Sequence, residues 1–279
     1  MVDIMSGKPT AGADEREDRT GQPSQGVAVI TGAASGIGKA IAEKMLADGW
    51  HVHICDANPQ AVEAFNAANP KIGASHADVS DPDQVAALVA DVMAKHGRID
   101  ILINNAGISG MTAPVETFDQ EDWRRTIDIN INGSFYFVRE VVPAMKKAGK
   151  GAIINIASTA ALFGYPQRTA YATSKWAMLG FTKTLAMELG PQGIRVNAVC
   201  PGSVEGPRID GVIQRDAAQR GRDAADIRRV YESQVSMRKF VRAEDIANMC
   251  AFLASDAAAM VSGQIIAVDG HTESLSNPL

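Results

Sequence analysis

The sequence predicts an α/β fold, a doubly wound and mostly parallel seven-stranded sheet with helices on both faces. Seven short apolar runs alternate with longer segments of helical periodicity, which gives repeated strand–helix–strand units. Ala, Val, Ile and Gly are plentiful, while aromatic residues make up only 5% of the chain. That mixture is typical of parallel strands packed closely against helices. The length of 279 residues suits one large domain of this class.

Each predicted strand is marked by one apolar run. The runs occupy residues 26–30, 51–55, 72–77, 101–107, 151–158, 194–202 and 263–270. Helical patterns lie between them, for example at residues 38–48, 82–96 and 121–147. Right-handed crossovers join such units into a doubly wound sheet. Residues 1–25 are polar, charged and rich in Gly and Pro, so we expect a disordered tail before a single domain at 26–279.

Residues 205–241 interrupt this alternation, since they contain many charges and no strand pattern. We interpret them as one or two helices inserted after the sixth strand, at the sheet edge where α/β proteins bind ligands. They could form a lid over the substrate, or a helix pair that only faces water. Their excess of Lys and Arg could also attract an anionic substrate.

Composition argues against several classes of function. The net charge is −5 and there is no long basic run, so nucleic acid is not an expected partner. No apolar stretch approaches the ~20 residues that a membrane span needs. Cys55, Cys200 and Cys250 are far apart in the chain, which predicts reduced thiols in a cytoplasmic protein and no metal site.

The segment TGAASGIG, residues 31–38, joins the first strand to the first helix. Gly32, Gly36 and Gly38 permit a tight turn and a close approach of backbone N–H groups to a pyrophosphate. The helix that begins near Ser35 and Ile37 directs its positive end toward that anion. We therefore predict a Rossmann-type dinucleotide site at this turn.

Asp56 ends the second strand, where a carboxylate can accept hydrogen bonds from the adenosine ribose hydroxyls. The glycine loop has no Arg or Lys before Lys39, and none follows Asp56 until Lys71. No cation is therefore expected for the 2′-phosphate of NADP, and the sequence predicts NAD as the cofactor.

YATSK, residues 171–175, places Tyr171 and Lys175 four residues apart on one helix face. A free tyrosine has a pKa of about 10. A nearby ammonium, and the positive ring of an oxidised nicotinamide, favour the phenolate and lower that pKa. Tyr171 is thus a candidate acid/base near neutral pH.

In combination, TGAASGIG, NNAG at residues 104–107 and YATSK resemble the shorter, single-domain branch of the short-chain dehydrogenase/reductase family. The resemblance covers nearly all of residues 26–270. It implies a catalytic set of Asn130, Ser158, Tyr171 and Lys175, in which Ser158 stabilises charge on the substrate oxygen. Asn132 is a rival for the asparagine, but it does not fit the family's N-x-x-G spacing.

The resemblance also implies further contacts to the cofactor. Lys175 would hold the nicotinamide ribose, and Asn130 would position Lys175 through its backbone carbonyl and a water. The remaining cofactor-binding positions would be Asp78 and Val79 near the adenine, Asn105, Ala106 and Gly107 beside the cofactor, and Pro201, Gly202 and Val204 beside the nicotinamide. Gly206 stands where the family usually has Thr or Ser, so we do not transfer that contact.

The sequence thus predicts an NAD-dependent oxidoreductase that interconverts a secondary alcohol and a ketone. Two alternatives remain at this point, an NADPH-dependent 3-oxoacyl-type reductase and a dinucleotide-binding protein without catalysis. Asp56 argues against the first, and the complete set of four catalytic residues argues against the second. Helices with apolar faces on both sides, together with the resemblance, predict a homotetramer or a dimer.

Overall fold

A parallel sheet of seven strands runs through the described part of the chain. A computed structural model describes residues 25–275, so the tail predicted at residues 1–25 lies outside the described residues except for Gln25. The strands are β1 Val27–Thr31, β2 His51–Asp56, β3 Gly73–His76, β4 Ile101–Asn104, β5 Gly151–Ile156, β6 Ile194–Pro201 and β7 Ile265–Val268. Their order is β3-β2-β1-β4-β5-β6-β7, and every neighbouring pair is parallel. The predicted fold class is confirmed.

Helices connect the strands and cover the sheet. They are α1 Gly36–Ala47, α2 Pro59–Ala68, α3 Pro82–His96, α4 Gln120–Ile127, α5 Gly133–Ala148, α6 Thr169–Leu189, α7 Pro207–Arg220, α8 Ala224–Ser233 and α9 Ala243–Ala254. Local sequence sets several of their ends. Asn58 and Asp81 cap α2 and α3 through their side chains, and each cap is followed by a proline at the start of the helix.

The sheet has an apolar core on each face, because successive side chains of a strand point to opposite sides. Ala28 and Ile30 pack with α1 and α9 in one core. Val27 and Val29 pack with α3 and α5 in the other. Because all strands are parallel, their carboxyl ends lie at one edge of the sheet.

The strand order reverses between β1 and β4. Ligands bind at such a reversal.

The helix predicted at residues 121–147 is not continuous. A π-helical stretch, Asp128–Asn132, separates α4 from α5. It contains Asn130, whose side chain is buried and bonded to other segments. A widened turn of this kind is frequently found at functional sites.

The segment 205–241 folds as the two helices α7 and α8 with a small core of their own. That core contains Ile209, Ile213, Ala217, Ile227, Tyr231 and Phe240. A bridge between Val204 and Val241 joins the two ends of the segment. The chain just after α8 is also bonded to the residues that follow β7, through a bridge between Val235 and Thr272. The pair of helices is therefore a packed unit that is attached to the domain at two places. Among residues 25–275, no helix is long and apolar enough to cross a membrane.

Candidate active site

Two glycines of the first turn are required by close packing. A Cβ on Gly32 would lie 2.7 Å from the backbone of Ala106, and a Cβ on Gly38 would lie 2.6 Å from backbone atoms of the same turn. Both distances are far below normal contact, so any larger residue would push the turn away from β4. The glycines thus hold the turn against the neighbouring strand end.

The rest of that turn faces open space. Gly36 has φ +56°, and a Cβ there would meet no atom within 4 Å. Ser35 precedes α1 as its N-cap, is exposed, and forms no capping bond with its side chain. The first backbone N–H groups of α1, including that of Ile37, lack partners within the helix. These residues fit a pyrophosphate at a helix N-terminus.

Asp56 is held at the edge of the same turn. Its Oδ2 accepts a hydrogen bond from the Ala34 N–H at 3.2 Å, and its Oδ1 accepts one from the Asn58 N–H at 3.1 Å. A carboxylate has acceptor capacity for about four hydrogen bonds. The partly exposed Asp56 therefore retains acceptor sites for ribose hydroxyls while its position is fixed by two backbone groups.

Thr31 ties the ends of β1 and β4 together. Its hydroxyl accepts hydrogen bonds from the backbone N–H groups of Asn105 and Ala106, both at 3.0 Å. The Asn105 amide donates in return to the carbonyls of Thr31 and Gly32, at 2.9 and 2.8 Å. Sequence reasoning missed Thr31, although it directly precedes the first glycine of the turn. Thr31 thus fixes Asn105 and Ala106 at the ends of β1 and β4, and their contact with a cofactor stays a prediction.

The predicted adenine contacts, Asp78 and Val79, follow β3. Asp78 is partly exposed, and its Oδ1 accepts hydrogen bonds from the backbone N–H and the hydroxyl of Ser80, at 2.9 and 2.7 Å. Val79 is buried and lies where a Cβ on Gly133 would come within 2.8 Å of it. Val79 therefore joins this loop to the start of α5.

The predicted nicotinamide contacts follow β6. Pro201 ends that strand, Gly202 donates its N–H to β7, and Val204 pairs with Val241 at the base of the 205–241 segment. Gly206 has φ +129° and precedes α7. Residues other than glycine rarely adopt that backbone conformation, which gives a physical reason for the absence of Thr or Ser at position 206.

Tyr171 and Lys175 meet near the start of α6. Lys175 is only 4% exposed, its Nζ donates to the Ile156 carbonyl at 2.9 Å, and it lies 5.8 Å from the centre of the Tyr171 ring. Burial alone would raise the pKa of the Tyr171 phenol. The charges of Lys175, Arg208 and Arg168, together with a hydrogen bond from Ser158, instead lower that pKa below its ordinary value.

The ammonium of Lys175 has a lowered pKa. Burial lowers the pKa of its ammonium, as does the charge of Arg208, while Tyr171 and Cys200 act in the opposite direction. Gly107 approaches this group closely, since a Cβ there would lie 3.4 Å from Lys175 Nζ and 3.2 Å from Asn130 Oδ1. The three residues therefore surround one point in the cleft.

Asn130 lies in the π-helical stretch and is fully buried. Its Oδ1 accepts from the Ile108 N–H at 2.8 Å, and its Nδ2 donates to the Ile108 carbonyl and to Ser174 Oγ, both at 2.9 Å. Ser174 in turn donates to the Tyr171 carbonyl at 2.7 Å. Asn130 thus joins the loop after β4 to the turn of α6 that carries Tyr171.

Ser158 follows β5, and its Oγ accepts the Ala160 N–H at 3.1 Å. Ser158 also hydrogen-bonds the Tyr171 phenol, Lys175 lies beside the Tyr171 ring, and Gly107 faces both Lys175 and Asn130, so the structure brings the four predicted catalytic residues close together. Sequence reasoning missed Arg168, which stands one helical turn before Tyr171 with its guanidinium 5.5 Å from the ring centre. Within residues 25–275, no group of three or more His, Cys, Asp or Glu could hold a metal ion.

Comparison with known proteins identifies relatives along most of the chain. Residues 32–271 match a protein-family model described as enoyl-(acyl carrier protein) reductase. Trans-4-hydroxycyclohexanecarboxylate dehydrogenase from Sinomonas cyclohexanicum is 39% identical over 254 residues, which are 88% of this chain and 91% of that protein.

Two solved structures are similar in fold and sequence. The NAD⁺-bound xylitol dehydrogenase has a TM-score of 0.84 and 31% identity, covering 88% of this chain and 98% of its own. An actinorhodin polyketide ketoreductase variant with NADPH has the same TM-score of 0.84 and 33% identity, covering 88% and 95%. The two similar structures thus contain different nicotinamide cofactors.

Proposed function

Because the chain belongs to the short-chain dehydrogenase/reductase family, we propose that it is an NAD(H)-dependent oxidoreductase that interconverts a secondary alcohol and a ketone. The observation that carries this proposal is the cluster at the start of α6. The Tyr171 phenol, whose pKa is lowered by neighbouring cations, stands beside the buried ammonium of Lys175, which lies 5.8 Å from the centre of its ring. That is the chemistry an alcohol–ketone reaction requires of a protein.

In this proposal Tyr171 removes the hydroxyl proton during oxidation and returns a proton to the carbonyl oxygen during reduction. Ser158 donates a hydrogen bond to the same substrate oxygen and stabilises the charge that develops there. Lys175 stabilises the phenolate and holds ribose hydroxyls, and Asn130 fixes the turn that carries Tyr171. The bound nicotinamide supplies or accepts the hydride.

The choice of NAD over NADP rests on the chain's own residues, since similar structures with either cofactor are equally close. Asp56 supports NAD, because its carboxylate would repel a 2′-phosphate. The remaining cofactor residues of the proposal are Gly32, Ser35, Gly36, Ile37, Gly38, Asp78, Val79, Asn105, Ala106, Gly107, Pro201, Gly202 and Val204. The rival NADPH-dependent 3-oxoacyl-type reductase has support from a relative, the 3-oxoacyl-[acyl-carrier-protein] reductase of Thermotoga maritima, which is 37% identical over 248 residues, and Asp56 argues against it.

The homotetramer and the cytoplasmic location stay predictions. Large apolar side chains exposed on α5 and α6, Phe135 at 47% and Trp176 at 52%, support an interface between subunits. The free, buried thiols of Cys55, Cys200 and Cys250 are compatible with a reducing compartment.

Replacement of the phenol tests the proposed function. The wild type should form NADH when secondary alcohols such as polyols, sugars and hydroxy acids are supplied with NAD. Tyr171→Phe should reduce that rate by about 100-fold to 10,000-fold, because it removes only the proton-transfer oxygen. NADH binding, measured by fluorescence titration, should stay nearly unchanged in the variant. Activity retained within tenfold would remove Tyr171 from the role of acid/base.

A further inference from the structure

A buried guanidinium lies beside the proposed acid/base. Arg168 directly precedes α6 and is only 6% exposed. Its guanidinium carbon lies 5.5 Å from the ring centres of both Tyr165 and Tyr171. Arginine is almost never this buried unless its charge is paired, so the partners of this side chain are informative.

Those partners accept hydrogen bonds from only part of the guanidinium's N–H groups. Nη1 donates to Thr112 Oγ1 at 3.3 Å and Nη2 to the Ser109 carbonyl at 3.1 Å, while the buried Nε has no partner. A guanidinium carries five N–H donors. Both bonds go to neutral oxygens, and within residues 25–275 Arg168 forms no ion pair. A buried charge without a counter-charge is costly, so this position favours an anion.

A second cation, Arg208 of α7, changes the electrostatics of Tyr171 and Lys175. Arg208 stands in the first turn of that helix, is exposed, and forms no ion pair in the described part of the chain. Its charge lowers the pKa of both Tyr171 and Lys175. Asp210, two residues further along α7, is paired with Arg228. Among residues 25–275, neither Arg168 nor Arg208 forms an ion pair with a carboxylate.

We propose that the substrate is a secondary alcohol, or its ketone, that carries an anionic group, and that Arg168 binds this group. This inference rests on the proposed alcohol–ketone reaction. A guanidinium can hold a carboxylate, sulfonate or phosphate through two parallel hydrogen bonds. Because Arg168 stands against the Tyr171 ring, the anion would lie only a few bonds from the carbon that bears the hydroxyl. The expected class is a short hydroxy acid or its sulfonate or phosphate counterpart.

A different role for Arg168 makes a different prediction. Its bonds to Ser109 and Thr112 also join the loop after β4 to α6, and its charge acts on the phenol. If it served only those purposes, its replacement would slow anionic and neutral substrates alike. An anion-binding residue is required only by the anionic ones, so paired substrates separate the two roles.

The test is kcat/KM with NAD for matched pairs of alcohols. The pairs are 3-hydroxybutyrate with its methyl ester, 2-hydroxypropanesulfonate with 2-propanol, and glycerol 3-phosphate with glycerol, so that the three anions are distinguished. The wild type should favour the anionic member of at least one pair by tenfold or more. Arg168→Met should lower kcat/KM for that member by about 10- to 150-fold more than for the neutral member, whose own change measures the loss of the Arg168 charge beside Tyr171.

Two further variants complete the test. Arg168→Lys should restore part of the loss, because it keeps the charge but loses the planar pair of donors. Arg229→Met makes the same change in net charge at an exposed arginine of α8 that pairs with Asp226, and it should behave as the wild type. A wild type that favours the neutral member of every pair, or an Arg168→Met that slows both members equally, would overturn the proposal and leave the alcohol–ketone function standing.

Binding decides the matter if no alcohol is oxidised. Acetoacetate titrated calorimetrically into the protein with NAD present cannot react, since both are oxidised. Binding in the wild type that is lost in Arg168→Met would support the anion site while the proposed function failed. Binding that is absent from the wild type, or equal in both proteins, would refute the anion site.

Discussion

The proposed cofactor half and the proposed substrate half of the cleft are built from different parts of the chain. The cofactor half consists mainly of backbone at the ends of β1, β2 and β4, where glycines and Thr31 fix the geometry, and Asp56 adds one carboxylate. The substrate half consists of side chains from the loop after β4, the start of α6, and α7. Backbone amides suit a constant dinucleotide, whereas side chains on separate segments can change with the substrate. Changes in one half should therefore leave the other half's ligand largely unaffected.

The largest separable effect is expected at Asp56. A 2′-phosphate would bring about two negative charges near this carboxylate, and one like-charged pair at ~4 Å costs roughly 4 kcal/mol at an effective dielectric near 20. Solvent exposure reduces this to about 2–4 kcal/mol, so NAD should be preferred by about thirtyfold to several hundredfold. Asp56→Ala should weaken NAD and improve NADP. Substrate KM should stay within about twofold, because no substrate-side residue changes.

The measurement is kcat/KM for both cofactors in the wild type and in Asp56→Ala. Asp78→Ala is a matched control, since it removes a carboxylate that the proposal places near the adenine rather than on the ribose. A wild type that uses NADP as well as NAD, or a variant with an unchanged ratio, would contradict the assignment of Asp56.

A smaller effect is expected in the 205–241 segment. Ile213 is 3% exposed within the core that α7 and α8 share, and its truncation should cost about 2 kcal/mol or more. If the helices act as a lid, Ile213→Ala should raise substrate KM by roughly threefold to tenfold, because the ordered lid is populated less often. NADH affinity should not change. Val212→Ala is the control, because Val212 lies at the edge of that core, and it should change substrate KM less. An unchanged substrate KM in Ile213→Ala would show that the two helices only face water and do not act as a lid.

The proposed cofactor half could be predicted from the sequence because its turn needs particular residue types at fixed positions. Gly32 and Gly38 have no room for a Cβ, and Asp56 ends a strand beside them. The seven strands and the doubly wound sheet followed from the apolar runs, although the runs at 101–107 and 151–158 overshoot β4 and β5, which end at Asn104 and Ile156. The chain turns away there to form the cleft, and side-chain polarity does not mark that point.

The substrate half was less visible because its residues come from distant segments without a shared motif. No sequence motif marks Arg168, since its importance depends on its burial against the rings of Tyr165 and Tyr171. The interruption at Asp128–Asn132 was also missed. Its cause is tertiary, in the bonds between Asn130, Ile108 and Ser174.

The pH dependence of hydride transfer tests the central claim most directly. The pKa of Tyr171 is lowered, and alcohol oxidation needs the phenolate. In single-turnover experiments the oxidation rate should therefore rise with pH and level off below pH ~10, the pKa of free tyrosine, while ketone reduction falls. Lys175→Met should move the rise to higher pH, because the phenolate loses a neighbouring cation. A flat wild-type rate between about pH 6 and 10, with a deuterium isotope effect showing that hydride transfer limits the rate, would contradict Tyr171 as the acid/base.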